Sequence, residues 1–200
     1  MKATSLTLPI VQFKSQKEWA TWLGKNHAKS TGVWLQIAKK ASGIASVTYA
    51  EALDVALCYG WIDGQKDSYD DQSWLQRFTP RGPKSIWSKM NREHVARLIK
   101  AGKMTPAGQK AIDAAKADGR WDAAYDSQSK ATVPADLQAE LDKYPKAKAF
   151  FATLKSANRY AILFRLHTAK KPETRAKRLA QFVEMLEKGK TMYPQSPPKS

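Results

Sequence analysis

The sequence predicts an α+β fold: a small antiparallel sheet with a hairpin, packed by helices, followed by a C-terminal helical layer. Three observations carry this expectation. Capping patterns precede apolar runs at helical spacing in the first sixty residues. After Gly60 the apolar period shortens to that of a strand. From Val133 onward the spacing is helical again.

The elements follow in order. Ser15-Gln16-Lys17-Glu18 is a capping-box pattern, and Trp19, Trp22 and Leu23 come next on one face. Val33 to Ile37 reads as a strand. Thr48-Tyr49-Ala50-Glu51 opens a second helix carrying Ala52, Leu53, Ala56 and Leu57, with Gly60 as its stop. Trp61 to Ser68, a turn near Asp70-Asp71, and Ser73 to Phe78 make the hairpin. Two prolines in Thr79-Pro80-Arg81-Gly82-Pro83 remove amide donors and force a loop. Ser88 can cap a helix with Val95, Leu98 and Ile99, and Thr105-Pro106 starts another that closes at Gly119. Val133-Pro134 opens a helix with Leu137 and Leu141. Phe150, Leu154, Ala161 and Phe164 recur on one helical face, with Lys148, Lys155 and Arg159 nearly opposite. A last helix begins at Lys171-Pro172-Glu173 and stops at Gly189. The expected organisation is an α+β unit over 1–130, a basic helical region over 131–190, and a disordered tail over 191–200.

Composition narrows the function classes. The chain of 200 residues is 42% hydrophobic and holds seven tryptophans, enough to build a core. Its formal charge of +16 is the main anomaly, and between Lys146 and Arg178 ten Lys or Arg face Glu173 alone. Such a balance attracts nucleic acid, an anionic ligand or an acidic protein partner, or else serves solubility. Lys148, Lys155, Arg159, Arg175 and Arg178 are the candidate polyanion contacts. Cys58 is the single cysteine, so it forms no internal disulfide, and its apolar run marks it as a buried thiol. There is no apolar signal core and no stretch of membrane-spanning length, which predicts a cytoplasmic protein.

The region from Ala56 to Asn91 concentrates the candidate chemistry. Aromatic groups interleave there with cations, a pattern that holds anions or flat polar ligands. The candidate anion-binding set is Arg77, Arg81, Lys84, Ser85, Trp87, Ser88 and Asn91, with Trp61 and Asp63 beside it. If Ser88 caps a helix, free amides and the positive dipole end add to the cations. The alternative is that the arginines pair with Asp63, Asp67, Asp70 or Asp71 and staple the hairpin to the loop. Trp61 and Trp87 either wall a pocket or fill the core. Asp63 is the best lone carboxylate for general-base work, but Asp63-Gly64 is also a turn signal, and the turn is the expected place for it. His27, His94 and His167 have no partner at metal-ligand spacing, so neither metal nor cofactor is expected.

Several motifs together resemble the YdeI/OmpD-associated (bacteriocin-protection) family. They are Ala56 to Gly64, Arg77-Phe78-Thr79-Pro80-Arg81, Ser85 to Asn91, Gly102 to Gly108, and the closing Ala169 to Arg178. The resemblance spans about residues 10 to 190. Relatives are expected to carry a more basic run where this chain has Arg81-Gly82-Pro83-Lys84. The resemblance implies a soluble bacterial protein linked to bacteriocin protection, and it brings no reaction, cofactor or catalytic set. The expectation is therefore a non-enzymatic cytoplasmic accessory protein of bacteriocin or envelope-stress tolerance that binds an anionic partner. A nucleic-acid-binding regulator is the alternative. An enzyme on a phosphorylated or carboxylated small molecule, with Asp63 as base and Arg81 as anion clamp, is a third possibility.

Overall fold

The fold is α+β, seen in a computed structural model that describes residues 8–195. The chain divides between Ala124 and Tyr125 into two compact units, a few residues before the boundary expected at 130/131.

The first unit runs β1 (Ile10–Gln12), α1 (Gln16–Asn26), β2 (Val33–Ala38), a 3₁₀ turn (Lys40–Ser42), α2 (Tyr49–Cys58), β3 (Trp61–Ser68), β4 (Ser73–Pro80), α3 (Lys89–Lys100) and α4 (Pro106–Ala117). Its four strands lie in the order β1-β2-β4-β3. The sheet is mixed rather than antiparallel throughout, because β1 runs parallel to β2 across the α1 connection. Three residues are too few for β1 to show a strand period, and the sequence reading missed it.

Helix starts are set as the caps dictate. Ser15, Thr48, Ser88 and Thr105 each accept a hydrogen bond from the backbone amide three residues on. The box at Thr48 is complete, with Glu51 reaching back to the Thr48 amide at 2.9 Å. At Ser15 it is not: the Glu18 carboxylate takes the Lys14 amide instead. Gly60 ends α2 with φ +72, a conformation that only glycine adopts at low cost.

One sheet face builds the core. Val33, Leu35 and Ile37 of β2 and Phe78 of β4 are buried with Trp19, Leu23, Leu53 and Ala56. The Trp19 indole donates to Ala52 O and the Trp61 indole to His27 O, so both large rings are buried with their polar atoms satisfied.

The β3–β4 ladder slips between Asp63 and Lys66, leaving Gly64 and Gln65 in a bulge. Gln76 is 4% exposed, and its amide donates to Gly64 O at 2.9 Å and Gln65 O at 3.2 Å. The buried amide thus satisfies carbonyls at the bulge.

The second unit contains α5 (Ala135–Lys143), α6 (Pro145–Ala152), α7 (Ser156–His167) and α8 (Pro172–Glu187). The apolar face read from Phe150 to Phe164 belongs to two helices, broken at 153–155, where Thr153 Oγ1 donates back to Phe150 O. Leu137, Leu141, Phe151, Ile162, Leu166, Phe182 and their neighbours form this unit's own core.

Residues 191–195, expected within a disordered tail, are tied to α7. Asn158 is 2% exposed, accepts the Tyr193 amide at 2.8 Å, and donates to Tyr193 O and Gln195 Oε1. Residues 196–200 lie outside the described part. Among the described residues, no helix is long and apolar enough to cross a membrane.

Candidate functional site

Around the loop after β4, Trp87 and Trp121 gather several cations in a compact cluster. Arg81 leaves the strand with its amide on Gly60 O, and its guanidinium lies 3.5 Å from the Trp87 ring centroid. Its Nη1 donates to Ile86 O at 3.1 Å. Ser85 Oγ accepts the Gly82 amide, which closes the turn that the two prolines begin. Ser85 O accepts from Arg120 Nη1 at 2.8 Å, and Arg120 Nε is held by both carboxylate oxygens of Asp118. Trp87 meets Trp121 at 4.9 Å, and Arg92 both faces the Trp121 ring and donates to Trp121 O.

This packing assigns most of the candidate set to the architecture. Trp87 is 1% exposed, and its indole nitrogen has no hydrogen-bond partner among the described residues. An orphaned buried donor of that kind costs about 1–3 kcal/mol. Ser88 is the α3 cap, receiving the Asn91 amide at 3.0 Å, and both residues are buried. Lys84 is exposed with no ion pair among the described residues. Arg77 alternates with Gln76 and Phe78 and so projects from the sheet face opposite the α1–α2 core. It pairs with none of the neighbouring aspartates among the described residues, and its stem passes over Gly64.

Two expectations are corrected here. Trp61 is 1% exposed and its indole is committed to His27 O, so it fills the core and cannot wall a pocket. Asp63 is not in the hairpin turn. It sits within β3 opposite Phe78 and accepts the Tyr49 hydroxyl at 2.8 Å. The bulge, rather than a turn, accounts for the glycine that follows it. Asp63 and Arg81 thus have separate partners, Tyr49 and Trp87.

The turn acid is Asp70, whose carboxylate oxygen accepts from the Gln72 amide, the Ser73 amide and the Ser73 hydroxyl. The Ser73 hydroxyl leads the causes that hold Asp70 below its ordinary value of 3.8.

A polar network lies on α2 and α3. Asp54 accepts from His94 Nδ1 at 2.7 Å and from Arg97 Nη2 at 2.7 Å. Burial pushes the Asp54 carboxyl up, but the hydrogen bonds from Arg97 and His94 outweigh it and leave it below 3.8. Cys58 is buried one turn on, and burial, then the Asp54 charge, push its thiol up to about 11. A thiol so raised is a packing group rather than a nucleophile. Among the described residues, no three His, Cys, Asp or Glu side chains gather as a metal site.

In the second unit the candidate polyanion contacts separate into two sets. Arg175 grips Asp136 through Nε and Nη2, at 2.6 and 2.9 Å, and donates Nη1 to Leu166 O. That pairing holds the Asp136 carboxyl below 3.8. Arg178 donates to Arg165 O. These two arginines staple α8 to α5 and α7. Lys148 pairs with Asp142 at 2.8 Å. Lys155 and Arg159 stay exposed without an acidic partner among the described residues, Arg159 resting over the Phe151 ring.

Residues 11–111 match the model of a family described as a domain of unknown function, DUF8412, which is just over half of the 200-residue chain. The chain belongs to the DUF8412 family. Residues 130–189 match a second model, described as Bacteriocin-protection, YdeI or OmpD-Associated. The resemblance drawn from sequence therefore divides: its closing signature, Ala169 to Arg178, falls within the second span, and its motifs from Ala56 to Gly108 fall within the DUF8412 span. No curated protein and no solved structure matches the chain.

The DUF8412 span also contains cations that the sequence reading passed over. Lys39, Lys40, Lys66, Asp67 and Trp74 line a groove of about 490 Å³ between the end of β2 and the hairpin. Lys66 and Trp74 share a sheet face only because the bulge shifts the register. Without that shift, strict alternation gives no sign of their meeting.

Proposed function

We propose that this DUF8412 protein is a non-enzymatic accessory protein of bacteriocin or envelope-stress tolerance, acting in the cytoplasm by binding an anionic partner. The match of residues 130–189 to the bacteriocin-protection model supports the biological setting. The observation that carries the binding reading is the excess positive charge left at the surface. The chain has 34 Lys and Arg against 18 Asp and Glu, and Lys84, Lys155 and Arg159 stay exposed with no acidic partner among the described residues. Such charges raise the rate and strength of encounters with anions. Arg175 is paired with Asp136 within the helical unit, whereas Arg178 donates to a backbone carbonyl, so the candidate binding cations are the lysines, Arg159 and Arg178.

The test measures binding of labelled single- and double-stranded DNA and RNA, and of an acidic peptide of matched charge, across a salt series. We expect affinity that falls linearly with salt on a logarithmic scale, with a slope of about one per phosphate contacted. A Lys155→Ala/Arg159→Ala variant should lower that slope. Absence of binding to every polyanion near physiological salt rejects the proposal. Strong preference for nucleic acid over the peptide would shift the reading to a nucleic-acid-binding regulator.

A further inference from the structure

We infer that the groove between the end of β2 and the β3–β4 hairpin is a site for a phosphorylated ligand with a flat ring, of the nucleotide class. The inference rests on the anion-binding reading above and gives it a place and a chemistry within the first unit.

β2 ends at Ala38, opposite Ser73, so Lys39 and Lys40 leave the sheet beside the hairpin turn. Lys39 is fixed there: its amide donates to Gln72 O, and its ammonium donates to Asp70 O at 3.1 Å and Asp71 O at 3.0 Å. These acceptors are backbone carbonyls rather than carboxylates. The Asp70 carboxylate is turned into the hairpin, accepting from Gln72 and Ser73. It is engaged by the turn and its charge also reaches Lys39, so the lysines it leaves without an offset are Lys40 and Lys66.

The second wall comes from the sheet. Past the bulge, Lys66 and Trp74 lie on one face, with Lys66 Nζ 4.2 Å from the Trp74 ring centroid. The Tyr49 ring sits 6.1 Å from that of Trp74. Trp74 is half-buried and offers an aromatic surface to the groove. Three lysines and the single acid Asp67 give the lining a net positive charge.

The chemistry of the lining selects the ligand class. A volume of about 490 Å³ falls within the usual range for small-molecule sites. Lysines are compact point charges that commonly bind phosphate. A phosphomonoester carries a charge of about −1.5 to −2 and three acceptor oxygens, enough to engage Lys39, Lys40 and Lys66 together. Trp74 adds what free phosphate cannot use, a face on which a base stacks. Lys66 now covers that ring on a flexible stem, and it can pass to the phosphate as the base arrives. A free mononucleotide and the nucleotides of a single strand share this chemistry.

The experiment titrates the full chain with inorganic phosphate, a purine mononucleoside monophosphate, and a short single-stranded oligonucleotide. Calorimetry gives affinities, and indole N–H resonances assigned through Trp74→Phe report the site. We expect the mononucleotide to shift the Trp74 resonance and to bind at least about tenfold more tightly than phosphate. Lys40→Ala/Lys66→Ala, at two exposed positions, should weaken that binding by about tenfold or more while the circular dichroism stays unchanged. A still tighter oligonucleotide assigns the site to single strands, and equal affinity assigns it to free nucleotides. Phosphate binding as well as the nucleotide overturns the ring-bearing class. Nucleotide binding undiminished in the double variant overturns this site and leaves anion binding standing elsewhere. If neither these probes nor the acidic peptide binds, the inference and the reading beneath it fall together.

Discussion

Gln76 shows how one side chain can hold an irregular strand. Its buried amide meets Gly64 O and Gln65 O, the carbonyls at the bulge that aligns Lys66 with Trp74. Replacing it by leucine keeps the volume but removes the hydrogen bonds to those two carbonyls, which belong to exposed residues. Gln76→Leu is expected to destabilise the protein by about 0.5–1.5 kcal/mol in urea denaturation. A change of only a few tenths would mean that water satisfies the bulge. The candidate site behaves similarly at this scale. Trp61, Trp87, Ser88 and Asn91 are all buried, and none could be told from ligand-facing residues by type or spacing. Arg81 was legible as important, but its partner, the Trp87 ring, lies across a loop whose path no local pattern fixes.

Among elements, α2 and α4 approach closely at Gly108. Thr105 gives both its amide and its hydroxyl to Cys58 O, which ties the start of α4 to the end of α2. Gly108 lies in this crossing, and a β-carbon there would run into the Cys58 carbonyl and the Met104 sulfur. Gly108→Ala should therefore cost about 1–3 kcal/mol, as overpacked cores do. Gly24 is the contrast. It lies on the exposed face of α1, where the nearest atom to an added β-carbon is the Tyr59 hydroxyl at 3.4 Å. Gly24→Ala should stabilise by about 0.5–1 kcal/mol through helix propensity. Parallel denaturation curves decide the matter, and equal effects at the two glycines would refute the packing account. The helix starts at Thr48, Ser88 and Thr105 were legible because a cap is a contact within four residues. The break at 153–155 was not, because the same apolar spacing continues across it.

Across the whole molecule, charge governs acid stability. Asp54 and Asp136 are held below the ordinary carboxylate value of 3.8 in the folded chain. Asp70 and Asp142 are lowered as well, led by the Ser73 hydroxyl and by Lys148 respectively. A depressed folded pKa contributes stability that is present above the unfolded value and is lost as pH falls through the folded one. The melting temperature should thus be level from about pH 5 to 7 and drop on acidification below about pH 4. Asp136→Asn, read by calorimetry over that range, should flatten part of the decline. A decline that leaves Asp136→Asn as steep as wild type would show that Arg175 pairs elsewhere in solution.

The sequence by itself determined the α+β class, the hairpin, the capped helix starts and the excess of cations, because each rests on composition or on contacts between near neighbours in the chain. Tertiary structure alone decided the parallel β1, the bulge, the burial of Trp61 and Trp87, and which cations remain available. Those features depend on register and on partners far apart in sequence. Arg175 is spent on Asp136, whereas Lys39 is positioned by backbone carbonyls of the hairpin turn, and no local period records either distance. Helix and strand periods place a side chain on a face; only packing determines what that face meets.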